Sequence, residues 1–407
     1  MSKKEIHLQD LILYLDNVYI SLNLNFLKKV LIDASGFKKP HLSEEFANVI
    51  GCRFNDKGKF CSSIQEWIKG KRNPPLHKIK VILTLTDFSW EEVEKNLIGM
   101  KYGKHGSWVY VRFPITIDNN FGSIVGHILG DGSIDKKTKT IFYSNSNIDL
   151  LNEFIECMKK EFRIEPRIWL QKEPIFGGTE WDKRLKSLKE VIPKRNVGLF
   201  YPRICSIVLF VLFGIFANGK EKTITKEILN SNKEFKKYLI RAFTDSEGSI
   251  KDREIRIHQD DKELLENICI ILRELGILPS EIKNYIKRNK LRHYISITGF
   301  YNYKKYVVDI GFASKSKLIK IEKQIKNVYK NKSFRLKLGE PRENIKKILK
   351  DSKLKTNEIS DLMRNKFQDF KWDNTTIMEH LTKLEKEGQV QKVKVNNRYY
   401  LWNLINQ

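Results

Sequence analysis

Apolar residues recur at helical spacing in two stretches of the chain that are alike. Residues 121–134 are Phe-Gly-Ser-Ile-Val-Gly-His-Ile-Leu-Gly-Asp-Gly-Ser-Ile, and residues 239–250 are Leu-Ile-Arg-Ala-Phe-Thr-Asp-Ser-Glu-Gly-Ser-Ile. Aligning the two copies pairs Gly126 with Ala242, Gly130 with Ser246, Asp131 with Glu247 and Gly132 with Gly248. Glycine inside a helix costs about 1 kcal/mol relative to alanine. Small residues four apart therefore predict two helices that pack closely through these positions.

An acid ends each predicted helix, and a glycine follows it. We expect the two glycines, Gly132 and Gly248, to end the helices in the left-handed conformation. A carboxylate at a helix C-terminus faces the negative end of the macrodipole, which is unfavourable by roughly 0.3–1 kcal/mol. Carboxylate and free carbonyl oxygens are the ligands that Mg²⁺ accepts. The repetition favours a metal site over ordinary turns with solvated acids, and its predicted ligands are Asp131, Glu247, Gly130 and Ser246.

The pattern after each motif predicts strands and a further helix in the same order. In the first copy the strands are expected at 139–143 and 163–170 and the helix at 148–161; in the second the strands are expected at 253–258, 281–286 and 291–298 and the helix at 261–275. This order predicts an α+β fold with two pseudo-symmetric αββα repeats. Their strands would form a saddle that lies along duplex DNA, since the major groove admits a two-stranded ribbon.

Two smaller units are expected on either side of the repeats. Residues 1–110 contain short helical patterns around Ser43, Ser62–Lys69 and Leu76–Leu85 that resemble a Cro or phage-repressor helix-turn-helix with a lengthened turn. Residues 341–407 read as three helices and a hairpin, which resembles a winged helix. The alternative for the first unit is a helical bundle that only packs on the core, and for the second a winged helix that binds protein. The predicted domains are 1–110, 111–232, 233–332 and 341–407.

The charge of the chain favours a polyanionic partner. There are 75 Lys and Arg against 49 Asp and Glu, a net charge of +26, and nucleic acid is the first candidate. No secretory signal or membrane-spanning run is evident, so we expect a cytoplasmic protein without a membrane partner. The 5 cysteines show no CxxC pairing, which argues against a zinc site.

The paired motifs resemble those of the LAGLIDADG homing endonucleases in their single-chain, two-repeat form, especially those of inteins and archaeal introns. The segments 212–229 and 310–317 resemble the family's connection into its second motif and its closing segment. The resemblance covers roughly residues 112–330. It implies a monomeric, site-specific endonuclease that cuts double-stranded DNA with Mg²⁺ or Mn²⁺. It also implies one active-site lysine per repeat, and the matching positions are Lys220 or Lys222 and Lys315 or Lys317.

Polar residues on the predicted strands and on the C-terminal unit are the candidate DNA contacts. They are Asn145, Arg163, Arg167, Gln171, Arg256, Gln259, Lys283, Lys287, Arg292, His293, Lys383, Lys386, Lys392, Lys394 and Arg398. For each of them a solvated position or a phosphate contact is favoured over base recognition. We interpret His127, within the first motif, as a core or interface histidine and assign it no chemistry.

Two other functions remain open at this stage. One is a regulator that binds DNA without cutting it, which the terminal units favour. The other is an intron RNA-binding splicing helper. Acids at both motif ends favour the nuclease, since a pure binder gains nothing from acids that face phosphates. The chain starts Met-Ser and ends Ile-Asn-Gln, without the residues that intein splicing needs, so a free-standing protein is expected.

Overall fold

The structure is a computed structural model, and it divides into two compact units, Met1–Glu247 and Gly248–Gln407. The residues it describes are 5–14, 17–135, 137–172, 180–191, 195–215, 222–251, 254–287, 290–331, 340–367, 372–394 and 400–405. The four-part domain division remains a prediction.

The N-terminal part of the first unit combines short helices with two strand pairs. Its elements are β1 (Glu5–Ile6), α1 (Leu8–Leu11), β2 (Val18–Leu22), α2 (Leu24–Ser35), α3 (Glu44–Val49), α4 (Ser62–Ile68), α5 (Leu76–Leu83), α6 (Trp90–Lys95), β3 (Leu97–Tyr102) and β4 (Ile115–Thr116). Strand β2 pairs with β3 and β1 with β4, both antiparallel. Ser43 caps α3 by accepting a hydrogen bond from the Phe46 amide. The sequence analysis predicted only helices here. The two strand pairs show that this part is not purely helical.

The first repeat and the motif helix of the second repeat complete the first unit. The first repeat consists of α7 (Asn119–Gly130), β5 (Gly132–Ile134), β6 (Ile141–Asn145), α8 (Ile148–Phe162), β7 (Arg167–Gln171), β8 (Trp181–Leu185), β9 (Val197–Tyr201), α9 (Arg203–Phe213) and α10 (Lys226–Leu229), and the second motif helix is α11 (Lys233–Glu247). Its antiparallel sheet has the order β5-β6-β9-β7-β8. The sequence predicted neither β8 nor β9. The inner face packs on α8, where Phe154 contacts Tyr143 and Tyr201.

The second unit begins with the strands of the second repeat. These elements are β10 (Gly248–Lys251), β11 (Glu254–Gln259), α12 (Lys262–Glu274), β12 (Lys283–Lys287), β13 (Lys290–Ile297), α13 (Phe300–Asp309) and α14 (Lys315–Asn331). The sheet order is β10-β11-β13-β12. In both repeats a short strand follows the motif helix and pairs with the next strand, and an amphipathic helix comes after. The α+β class is confirmed, and the saddle remains a prediction.

The C-terminal part of the second unit contains three helices followed by a hairpin. They are α15 (Glu340–Leu349), α16 (Thr356–Lys366), α17 (Asn374–Lys386), β14 (Val390–Lys394) and β15 (Tyr400–Leu404). Ile345, Ile359, Ile377, Leu381 and Trp402 form the centre of its own apolar core. The order agrees with the predicted helices and hairpin, while the winged-helix resemblance stays a prediction. Among the helices that the structure describes, none combines the length and apolarity needed to cross a membrane.

Candidate active site

The two motif helices, α7 and α11, pack against each other through the glycines of α7. A Cβ built on Gly126 would lie 2.4 Å from the Leu239 carbonyl oxygen and 2.9 Å from the Ala242 Cβ. A Cβ on Gly130 would lie 2.4 Å from the Cβ of Ser246. Real side chains essentially never approach that closely, so these positions need glycine for the helices to meet.

The acids lie at the ends of this helix pair. Asp131 is the exposed C-cap residue of α7, and Glu247 is the half-buried last residue of α11. The Glu247 Cγ lies 3.9 Å from the position that a Cβ on Gly130 would occupy. Contact between the small residues therefore brings the two helix ends together, and an acid extends from each.

The glycines that follow the acids do not have the conformation we expected. Neither Gly132 nor Gly248 is among the described glycines with positive φ, and each begins a strand instead. The chain passes from each motif helix straight into a strand without a left-handed residue. Gly132 is still needed, because a Cβ there would lie 2.5 Å from the Ile128 Cα.

A lysine donates a hydrogen bond to a backbone carbonyl beside each acid. Lys222 Nζ donates to the oxygen of Gly130, the residue before Asp131. Lys317 Nζ donates to the oxygen of Gly248, the residue after Glu247, at 2.7 Å. Lys315 is exposed at the start of α14, and Lys220 lies outside the described residues. The geometry thus favours Lys317 over Lys315 as the lysine of the second predicted pair that lies beside the acid.

Asn145, expected to face DNA, instead contacts the first acid. Its Nδ2 donates to Asp131 Oδ2 at 2.8 Å and approaches the Tyr143 hydroxyl at 3.4 Å. Strand register explains the difference: Asn145 lies on the same face of β6 as the buried Ile141 and Tyr143, so its side chain points toward the end of α7. Gln259 has the corresponding register position in β11, two residues beyond the partner of Gly248.

Behind Asn145 the hydrogen bonds continue into the core. The Tyr143 hydroxyl lies 3.0 Å from His127 Nδ1, and His127 Nε2 lies 3.1 Å from Glu153 Oε2. His127 is 0% exposed, which agrees with its interpretation as a core or interface histidine. The connection to Asp131 was not evident in the sequence, because it depends on the register of β6 and on the position of α8.

Glu153 supplies the carboxylate of this buried group of polar side chains. Its carboxylate also accepts from Arg241 of α11, so the ion pair joins α8 to the second motif helix. Burial acts to raise the pKa of Glu153, but the hydrogen bond and attraction from His127, with those from Arg241, outweigh it and hold the pKa at about 2. Glu153 therefore stays ionised at neutral pH. No sequence motif indicates this pairing.

The oxygen donors suit a hard cation that shares its coordination with a substrate. Within the part of the chain that the structure describes, there is no group of three or more His, Cys, Asp and Glu that could enclose a metal ion. The candidate site offers two carboxylates at adjacent helix ends instead. Mg²⁺ is commonly held by one or two carboxylates, waters and substrate phosphate oxygens, so the donor set fits it.

Several predicted DNA contacts lie on the outer face of a sheet, away from the core. In the first sheet these are Arg167 and Gln171, and in the second Lys283, Arg256 and Arg292. Arg256 pairs with Glu254 and lies over the Tyr294 ring at 4.6 Å. Arg292 Nε lies 3.2 Å from Asp260 Oδ1. These two arginines are therefore fixed in place by neighbouring side chains.

Other predicted contacts have a different placement. His293 is 8% exposed on the inner face of β13, where its Nδ1 hydrogen bonds Asn284 Oδ1 at 2.8 Å, so it is not outward-facing. Arg163 is not in a strand either: it caps α8 with φ of 50°. Gln259 shares the inner face of β11 with Ile255 and Ile257. The Lys287 side chain and Arg398 lie outside the described residues.

An aromatic cluster covers the outer face of each sheet. In the first sheet Phe142, Phe200 and Trp181 contact one another with ring centroids 4.8–5.9 Å apart. In the second sheet His258, Tyr285 and Tyr294 form the equivalent group at 5.5–5.7 Å. Trp181 thus packs on neighbouring rings.

The basic residues of the C-terminal part are on its surface. Lys383 and Lys386 are exposed on α17, and Lys394 is exposed on β14. Lys392 Nζ lies over the rings of Tyr400 and Trp402 at 4.7 Å and 5.4 Å. This surface presents positive charge, and its contact with DNA stays a prediction.

A family model matches the part of the chain that holds the second repeat. Residues 234–311 match the model of a LAGLIDADG-like domain. The chain therefore carries a LAGLIDADG-like domain, and the family resemblance of the motifs is confirmed. The helix-turn-helix and winged-helix resemblances remain predictions.

The curated relatives are longer proteins that match over a segment. The replication factor C small subunit of Methanocaldococcus jannaschii is 25% identical over 246 residues, which is 59% of this chain and 12% of the relative. The DNA-directed RNA polymerase subunit Rpo1C of the same organism is 25% identical over 224 residues, 54% of this chain and 22% of the relative. The chain thus spans less than a quarter of the length of either.

The similar solved structures include homing endonucleases and one other LAGLIDADG protein. I-DmoI in complex with DNA and Mn has 15% identity and a TM-score of 0.33, covering 47% of this chain and 96% of that one. The N-terminal LAGLIDADG domain of DUF199/WhiA has 16% identity and a TM-score of 0.32, covering 47% of this chain and 81% of that one.

Proposed function

We propose that this protein is a site-specific, divalent-metal-dependent endonuclease that cuts double-stranded DNA. The observation that carries the proposal is the pair of acids, Asp131 and Glu247, at the ends of two helices whose small residues bring those ends together. Such a pair is unfavourable without a cation and suits one that also binds a phosphodiester. Since both acids come from one chain, the enzyme acts as a monomer.

The acids and their neighbours have distinct roles in this proposal. Asp131 and Glu247 would hold Mg²⁺ or Mn²⁺, and a bound ion supplies an activated water and neutralises charge on the phosphate. Asn145 orients the Asp131 carboxylate through its 2.8 Å hydrogen bond. Lys222 and Lys317 place positive charge beside the helix ends, where charge develops on the phosphate during hydrolysis.

Recognition of the site would use the outer faces of the sheets. Arg167, Gln171 and Lys283 are outward-facing polar residues of the kind that contact phosphates and base edges. Arg256 and Arg292 are held in place by carboxylates, which lowers the entropy lost on binding. The net charge of +26 supplies the attraction to the duplex that does not depend on sequence.

A regulator that binds duplex DNA without cutting it is the second candidate. The C-terminal part favours it, because a compact three-helix-and-hairpin unit with exposed Lys383, Lys386 and Lys394 suits a DNA-binding accessory. The same unit also suits an endonuclease with a long site, so it does not decide between the two.

A randomised duplex library separates the two candidates. The full chain is incubated with the library in Mg²⁺ and, separately, in Ca²⁺, and both cut ends and retained intact duplexes are sequenced. The endonuclease predicts that ends enriched for one sequence accumulate in Mg²⁺ and that the same sequence is retained intact in Ca²⁺. Retention of one intact sequence in Mg²⁺, Mn²⁺ and Ca²⁺ alike would overturn the endonuclease and support the regulator.

A further inference from the structure

A cleft of about 670 Å³ lies at one end of the first sheet, away from the paired acids. One wall is the segment that follows β3, with Tyr102 and Trp108, and the other is formed by the ends of β7 and β9 and the start of α9. Its volume is within the range of small-molecule sites, about 300–1,000 Å³.

The charge of the cleft favours an anion. Arg167, Arg184 and Arg203 line it, and the single acid among the described lining residues is Glu165. That carboxylate pairs with Lys159 at 2.7 Å. Arginines in a concave site are suited to phosphate, because the planar guanidinium donates two parallel hydrogen bonds.

Flat side chains lie beside these charges. The Arg203 guanidinium stacks over the Tyr102 ring, 3.9 Å from its centroid, and Lys101 Nζ lies 4.9 Å from the centroid of Trp108. Phe200, from the aromatic cluster of the sheet, also lines the cleft. Aromatic rings and arginine planes are the surfaces on which unpaired bases stack.

Two residues of the lining carry buried polar atoms without a hydrogen-bond partner among the described residues. Tyr201 is 1% exposed, yet its hydroxyl has no hydrogen-bond partner among the described residues, and the same holds for the buried Nε of Arg203. Buried polar groups are nearly always satisfied, because leaving one unpaired costs about 1–3 kcal/mol. Both atoms are shielded from solvent in this structure, so a ligand in the cleft would reach them only after a side chain moves, and the site is defined by its arginines and aromatic rings.

We propose that this cleft binds a nucleotide, with the base stacked on the Tyr102 and Trp108 side and the phosphate held by the arginines. Free nucleotides and nucleotides within a single strand share this chemistry. The site is separate from the paired acids, and it shares one residue, Arg167, with the surface proposed for duplex recognition; binding of the free nucleotide probe is the readout that does not involve that surface.

Fluorescence anisotropy of the full chain tests the proposal with two probes, a methylanthraniloyl-ATP and a fluorescein-labelled ten-residue oligo-dT. Arg167→Gln with Arg184→Gln, both exposed positions, is expected to weaken binding at least about tenfold. Lys183→Gln with Lys186→Gln is the matched control, because it removes the same charge from neighbouring exposed positions outside the lining. Binding of both probes identifies a free-nucleotide site, and binding of oligo-dT alone identifies a single-strand site.

Two further substitutions separate binding from folding. Tyr201→Phe removes a hydroxyl that is shielded from solvent and has no partner among the described residues, so it serves as a control that is expected to leave both binding and the melting temperature unchanged. Trp108→Ala is expected to weaken binding about five- to a hundredfold, while Trp108→Phe keeps a stacking ring and most of the affinity. The proposal is overturned if neither probe binds at micromolar protein, or if the arginine and lysine pairs weaken binding equally.

Discussion

At the scale of single residues, the geometry of the candidate site depends on the side chains that hold its acids in position. Asp131 accepts from Asn145, which is near Tyr143, His127 and Glu153 in turn. Buried hydrogen-bond networks of this kind restrict the arrangements that their side chains can adopt. The Asp131 carboxylate is therefore set in position before any ligand arrives.

Lys317 is expected to matter for cleavage, whereas Lys315 is not. Lys317→Met removes the positive charge that donates to the Gly248 carbonyl, so we expect cleavage to slow about ten- to a hundredfold with little change in duplex binding. Lys315→Met is the control, since that lysine is exposed two positions earlier on the same helix. Single-turnover cleavage rates measure both. Equal rates for the two variants would remove Lys317 from the site.

Glu161 is expected to make stability fall as pH rises. Burial, and then the nearby charge of Asp118, raises the pKa of Glu161 to about 7, against a weaker opposing effect of the hydrogen bond from Asn120. Between the ordinary carboxyl pKa of about 4.3 and pH 7 the folded state keeps a proton that the unfolded state has lost. Stability is therefore lost across that window and does not return above it.

Glu161→Gln mimics the protonated form and should stabilise the protein at pH 8 by about 1–3 kcal/mol. At pH 4 the variant and the wild type should melt at nearly the same temperature. Glu156→Gln, at an exposed position of the same helix, controls for the loss of one surface charge. Thermal unfolding at both pH values gives the comparison, and an equal effect of Glu161→Gln at pH 4 and pH 8 would contradict the raised pKa.

At the scale of elements, the sequence allowed good prediction of helices and poor prediction of strands. Apolar spacing predicts the motif helices, α8 and α12, because the residues on the buried face of a helix recur every three to four positions within one stretch of sequence. Strands β8 and β9 were not predicted, because which of their side chains are buried depends on partner strands elsewhere in the chain. The same dependence on register places Asn145 and His293 on the inner face, where sequence alone had assigned them to DNA.

The helix pair itself provides a test with internal rescue. Gly130→Ala would place a Cβ 2.4 Å from the Ser246 Cβ, so we expect a loss of about 1–3 kcal/mol of stability. Ser246→Gly removes that atom, and the double variant should recover most of the loss. Gly126→Ala serves as the contrast, because its clash is with the Leu239 carbonyl oxygen, which no side-chain truncation relieves.

Urea unfolding of the single and double variants measures this coupling. A double variant no more stable than Gly130→Ala alone would mean that the two helices do not meet at this position. Additive effects would lead to the same conclusion, since contacting residues are the ones expected to show coupling.

At the scale of the whole molecule, the net charge of +26 is expected to dominate the attraction to duplex DNA under the proposed function. Duplex affinity should fall linearly on a plot of log K against log salt, with a slope set by the number of phosphates that the protein neutralises. If the C-terminal part contacts the duplex, the double variant Lys383→Gln, Lys386→Gln should make the slope shallower. The expected change is about one for each phosphate that loses its lysine contact. Lys350→Gln with Lys353→Gln is the control, with two exposed lysines of the same part. An unchanged slope for the first pair would exclude those lysines from the interface.

The acids at the ends of the helix pair are expected to cut DNA together. We would measure the cleavage rate of a selected duplex in Mg²⁺ by the wild type, Asp131→Asn and Glu247→Gln, with binding measured in parallel in Ca²⁺. We predict that each variant binds the duplex within a few-fold of the wild type and cuts it about 100-fold or more slowly. Cleavage at the wild-type rate by either variant would contradict the claim.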